Sequence, residues 1–219
     1  MALMLLAAGV QAQKMKSPNG LLSVEKVGSG YEVKYQDKKV LDLSSVGFAT
    51  TKKNEGLAFQ RMEKGGKVKA DYQMLAGKRL HCMNEANEYV LHYQYADGSP
   101  MRLVMRLYND GLAFRYELEG LYDERVKEEL TTYSIADGVR RWFMQWSDGY
   151  EGFFPLTTSG EGRSKHWGYP ALLEPADGVF ALISEANIER SQSASSLKNE
   201  QKSSEYKVFM DTNEVALYG

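Results

Sequence analysis

The sequence has 219 residues, 43% hydrophobic and 26% charged, which is ordinary globular composition and enough for one domain with a sizeable core. A formal net charge of -2 gives no basic field for nucleic acid and no polybasic arm for a membrane. The single cysteine, Cys82, excludes an intramolecular disulfide and reads as a buried structural thiol. His81, His92 and His166 are isolated, so no zinc-site spacing is present.

At the N-terminus, Ala2 to Val10 form an apolar run followed by Val10-Gln11-Ala12 and a polar segment. This is the pattern of a secretory h-region with a small-residue cleavage site. It assigns 1–12 to a signal peptide, starts the mature chain near Gln13 and makes the protein exported. The alternative is a buried N-terminal strand or helix. The run is too short for a membrane span, which needs about 20 apolar residues.

Period-two alternation then recurs along the chain. Tyr31, Val33 and Tyr35 alternate with polar residues, and Gln36-Asp37-Lys38-Lys39 turns the chain into Val40, Leu41 and Leu43, a hairpin signature. The segment 89–118 predicts a three-stranded antiparallel meander. Its turns are Ala96-Asp97-Gly98-Ser99-Pro100 and Asn109-Asp110-Gly111, residues that tolerate positive φ. Further strands are predicted at 141–146, 179–184 and 204–210. One or two helical turns are expected at 123–130. Lys- and Gly-rich 50–70 and Ser- and Lys-rich 190–204 read as mobile, and His166-Trp167-Gly168-Tyr169 as a loop. Many short strands between turn signals predict an all-β antiparallel sandwich.

Four segments, in order, resemble the N-terminal domain of glycoside hydrolase family 97. They are Ser17-Pro18-Asn19-Gly20 with the tyrosine-rich hairpin ending in Ser44-Ser45-Val46-Gly47-Phe48, then Leu107-Tyr108-Asn109-Asp110-Gly111-Leu112-Ala113-Phe114-Arg115-Tyr116, then Tyr150-Glu151-Gly152-Phe153-Phe154-Pro155, and finally 177–187. The resemblance covers about 17–190 and implies that 13–219 is a β-super-sandwich of the galactose-mutarotase-like type. It implies an exported, periplasmic or secreted, calcium-dependent α-glucosidase or α-galactosidase acting on α-linked oligosaccharides. The catalytic residues would sit in a (β/α)8 barrel that follows the sandwich. The strand–helix alternation of such a barrel appears nowhere in this sequence, and the sandwich is expected to lack its last strands, so the chain by itself is expected to be inactive.

The same resemblance matches Glu185, at the end of the apolar run 180–183, to a calcium ligand that the sandwich lends to the barrel. Calcium takes six to eight oxygens at about 2.3–2.6 Å, so the remaining ligands are expected from the barrel. Read from the residues alone, Glu185 is a strand-end carboxylate. The aromatic cluster Trp142, Phe143, Trp146, Tyr150, Phe153 and Phe154 suits either sugar stacking or core and interface packing. Tyr150 and Glu151, just after Ser147-Asp148-Gly149, are the members expected to face a substrate. No pair of carboxylates stands out by spacing as a glycosidase dyad. The alternative function is a stand-alone carbohydrate-binding sandwich without catalysis. A sugar mutarotase is a third reading, with no supporting His–carboxylate spacing.

Overall fold

The computed structural model describes residues 13–53, 56–120, 124–149, 151–158, 166–186, 194–200 and 202–210. The proposed signal peptide, 1–12, lies outside them. The described residues form strands and connecting turns, with no helix among them. The first strands are β1 (Lys14–Lys16), β2 (Leu22–Val27), β3 (Gly30–Tyr35), β4 (Lys38–Ser45) and β5 (Phe48–Thr50). Longer ones follow: β6 (Ala58–Gln73), β7 (His81–Gln94), β8 (Pro100–Tyr108) and β9 (Leu112–Leu118). Then come β10 (Val126–Glu129), β11 (Thr132–Ser134), β12 (Arg140–Trp142), β13 (Leu156–Thr157) and β14 (His166–Trp167). The last are β15 (Ala171–Ala176), β16 (Val179–Ile183), β17 (Ser195–Lys198) and β18 (Glu205–Met210).

The fold is an antiparallel β-sandwich. One sheet has eight strands in the order β1-β2-β3-β4-β11-β18-β17-β14. A four-stranded meander, β6-β7-β8-β9, packs on it, and β13-β12-β15-β16 makes a further four-stranded sheet. The pair β10-β5 completes the set. Period-two patterning explains the packing. In β8, Met101, Leu103, Met105 and Leu107 are all buried, while Arg102 and Arg106 point the other way to Glu117 and Glu88. The buried set meets Leu91 and Tyr93 from β7 and Val24, Tyr31, Val33 and Leu43 from the large sheet in one core. Each fully buried Leu or Met there stabilises by about 1.5–3 kcal/mol. Truncating Leu103 to Ala would cost about 2–5 kcal/mol.

The tyrosine hairpin forms as its alternation predicts. Gln36 and Asp37 close it with φ of 50° and 60°, the left-handed pair of a two-residue primed turn. The 89–118 meander is also present, as the sheet β7-β8-β9. Its second turn differs from expectation: none of Asn109, Asp110 and Gly111 takes a positive φ. Tyr108 N–H instead donates to the Gly111 carbonyl at 2.8 Å, and Asn109 Oδ1 accepts the N–H of Asn19 at 2.9 Å. Two of the four family-like segments thus touch directly.

Six expectations are corrected. The segment 123–130 is not helical: Val126 is buried opposite Thr50, and 126–129 pair with β5 as β10. The segment 50–70 contains most of β6, a 16-residue strand paired with β7 over 58–73. Its polar composition reflects its place at a sheet edge, where lysines are tolerated and discourage edge-to-edge pairing. Lys67 and Lys69 both pair across to Glu85, at 2.9 and 3.5 Å. Within 190–204, Ser195, Ser196 and Leu197 are buried in β17. His166 and Trp167 form β14 rather than a loop, with Trp167 Nε1 donating to Asn199 Oδ1 at 2.7 Å. Cys82 is half-buried, not buried, because β7 runs past the end of β8 at that point. The strand predicted at 141–146 is shorter, ending at Trp142.

Candidate functional site

Glu185 lies two residues beyond β16, half-buried. Its Oε1 accepts the N–H of Ser195, the first residue of β17, at 2.9 Å. Inward Ile183 anchors the end of β16, and that fixes where the chain presents the carboxylate. Three groups that sequence reasoning missed lie within reach of its charge. Glu129 closes β10, Tyr133 lies in β11, and Tyr169 precedes β15. Each of the three feels the Glu185 charge.

The electrostatics of these groups follow mainly from burial. Burial pushes the Glu129 carboxyl up to about 7; a hydrogen bond from Thr131 pulls it down and the Glu185 charge adds to the rise. Thr131 Oγ1 is 2.5 Å from Glu129 Oε1 and 2.7 Å from Tyr116 Oη, so a short chain of hydroxyls backs the carboxyl. Burial raises Tyr133 and Tyr169 well above the ordinary phenol range, so both are neutral hydroxyls at physiological pH. A bond from the Ser195 side chain partly offsets the rise at Tyr169.

The donor set is chemically right for a hard cation and numerically short. Glu185 retains Oε2, and Glu129 can add a carboxylate once ionised. Among the described residues no group of three or more His, Cys, Asp or Glu side chains converges. Calcium takes six to eight oxygens, so these carboxylates do not by themselves make a calcium site.

The other candidates fall elsewhere. Tyr150 lies outside the described residues. Glu151 is exposed in the irregular stretch before β13, and no hydrogen bond or ion pair joins it to the Glu185 cluster. The aromatic cluster divides. Phe143 is a core residue, edge-on to Trp167 and Tyr206. Trp146 stacks on His166, rings 4.9 Å apart and 8° from parallel. Phe153 is 93% exposed. Neither core packing nor sugar stacking describes the cluster as a whole. No sequence pattern could have pointed to Glu129, Tyr133 and Tyr169, because strand pairing brings them together from separate segments.

The chain matches the family described as Glycosyl-hydrolase 97 N-terminal over residues 15–213. No curated protein matches it. Among solved structures it resembles a beta-arabinopyranosidase, with TM-score 0.81 and 22% identity, over 93% of this chain and 36% of that one. It also resembles a glycoside hydrolase family 97 enzyme from Pseudoalteromonas sp. strain K8 in complex with acarbose, with TM-score 0.77 and 18% identity, over 90% of this chain and 32% of that one. A variant of that enzyme in complex with panose gives the same values. The chain thus spans about a third of the length of these enzymes, and likeness at such identity speaks for the fold. On the family match over 15–213, the chain belongs to the glycosyl hydrolase 97 N-terminal family.

Proposed function

We propose that this domain supports the active site of an exported, calcium-dependent glycoside hydrolase of the α-glucosidase or α-galactosidase type. Its substrates are α-linked oligosaccharides, cleaved in a (β/α)8 barrel. The observation that carries the reading is the position of Glu185: a half-buried carboxylate, oriented by the Ser195 N–H and within charge reach of a second carboxyl, Glu129. In this reading Glu185 lends one oxygen to a calcium ion completed by the barrel, and the bound ion supplies fixed positive charge to the site. Ser195 N–H holds Oε1, which leaves Oε2 for the ion. The acarbose and panose complexes of the Pseudoalteromonas enzyme support an oligosaccharide substrate. Tyr150 and Glu151 are assigned to the substrate side. Export rests on the apolar run before Gln13.

The test is a chimera in which this chain replaces the corresponding third of the Pseudoalteromonas enzyme. Calorimetric titration with calcium should show a tight site, weakened at least about tenfold by Glu185→Gln, which removes the charge a hard cation prefers. Equal affinity with Gln at this position overturns the ligand assignment.

A further inference from the structure

Two sheets meet where the chain leaves β14 and enters β15. Between these strands lie Gly168, Tyr169 and Pro170. On one side β14 pairs with β17, with Trp167 opposite Leu197. Carried two residues on, that register sets Tyr169 opposite Ser195. On the other side β15 pairs with β16, with Ala171 opposite Ile183. Carried two residues back, that register sets Tyr169 opposite Glu185. Glu185 also has the inward parity of Ile183, so its side chain turns toward this junction. Tyr169 therefore stands where the edge strand of the large sheet passes into the smaller one, between the start of β17 and the end of β16.

The polar contacts agree with that placement. The Ser195 hydroxyl donates to the Tyr169 oxygen, and the Glu185 charge acts on the same phenol. Ser195 N–H donates to Glu185 Oε1 at 2.9 Å. Ser195 is thus held at its hydroxyl by Tyr169 while its own N–H holds Glu185. It is 7% exposed, so water competes little for either bond. The Tyr169 ring packs against the core, which makes its oxygen a fixed point for the other two residues. A ring that only filled space would not need the hydroxyl; phenylalanine would serve.

We propose that Tyr169 is a positioning residue for Glu185: by holding the Ser195 hydroxyl it aims the Ser195 N–H, which fixes the carboxylate before any ion arrives. This rests on the function proposed above and adds to it the group that orders the ligand. A carboxylate ordered in advance loses little freedom when it coordinates. Removing a group that orients a metal ligand typically weakens metal binding by roughly 10–100-fold.

Two variants cut the same bond from opposite sides. Tyr169→Phe keeps the ring and removes the hydroxyl; Ser195→Ala removes the hydroxyl and keeps the N–H. In the isolated chain without calcium, each should speed hydrogen exchange of the Ser195 amide at least about tenfold. In the chimera described above, each should weaken calcium binding about tenfold by calorimetric titration. The double variant should be no worse than either single one, because one contact is lost in all three. Val33→Ala, in β3, destabilises the core without touching this contact and should leave calcium affinity unchanged. Should one of the two variants fail to fold, the other carries the test. Unchanged Ser195 exchange in a folded variant overturns the proposal. So does calcium affinity that falls with Glu185→Gln but not with Tyr169→Phe. Additive losses in the double variant overturn it too, since Tyr169 and Ser195 would then act separately. Faster exchange together with calcium binding that Glu185→Gln leaves intact keeps Tyr169 as the group that orders Glu185 and overturns only the ligand assignment.

Discussion

The carboxylate of Glu185 holds the N–H of Ser195 at 2.9 Å, so the proposed metal ligand also ties the end of β16 to the start of β17. The two roles separate by mutation. Glu185→Gln keeps an oxygen acceptor for the N–H and should leave the stability of the isolated chain within about 0.5 kcal/mol of the parent. Glu185→Ala removes the acceptor and should cost about 1 kcal/mol. Urea denaturation of both variants, without calcium, checks this; equal losses would show that Glu185 does not order β17.

Glu129 should make the domain less stable as pH rises. Its folded pKa of about 7 lies above its ordinary value of 4.5, so between these limits the folded chain holds a proton that the unfolded chain has released. The contribution is full below about 4.5 and is lost progressively up to about 7. Its size is at most about 3 kcal/mol, and less because the side chain keeps some solvent contact. Stability against pH for the parent and Glu129→Gln should show a difference that shrinks or grows only within this window. Parallel curves would refute the elevated carboxyl.

Lys53 and Glu124 form a buried ion pair, and Thr50 Oγ1 donates to the other oxygen of Glu124 at 2.6 Å. Burial pushes the Glu124 carboxyl up, but hydrogen bonds from Lys53 and Thr50 outweigh it and hold the carboxyl below its ordinary range. Lys53→Met leaves that charge uncompensated and should cost about 3–5 kcal/mol. Lys53→Met/Glu124→Leu should recover most of the loss. A double variant as unstable as the single one would mean that the pair is not the source of the effect.

The β3–β4 turn should accept a stabilising change. Gln36 and Asp37 both occupy the left-handed region, which favours Asn followed by Gly. Gln36→Asn/Asp37→Gly should raise stability by about 0.5–1 kcal/mol, since relief of strain at two positions exceeds the added chain entropy of one glycine. A lower melting temperature would show that the turn side chains make contacts worth more than the strain.

Alternation marked β3, β4, β8 and β9 because each has one face in the core and one in solvent, so hydrophobicity repeats every second residue. The same rule failed for β6. At the sheet edge most of its side chains meet water, and register shifts between Phe59 and Arg61 and between Lys64 and Gly66 break the period of those that pack on the core, Phe59 and Met62. The expected helix at 123–130 failed for a related reason: β10 is only four residues long, and its pairing with β5, not local preference, makes it a strand.

The sequence by itself determined the all-β class, the principal hairpins, the family and the position of Glu185 within a strand-end motif. These depend on neighbours along the chain, and a period of two or a fixed run of residues records them. Only the tertiary structure decided that Glu129, Tyr133 and Tyr169 come within reach of the Glu185 charge, and that Leu156, Trp142, Leu172 and Leu182 line up across four strands. Those relations are set by strand register and sheet order. Both are fixed by the burial of the whole core at once, and no local stretch of sequence encodes them.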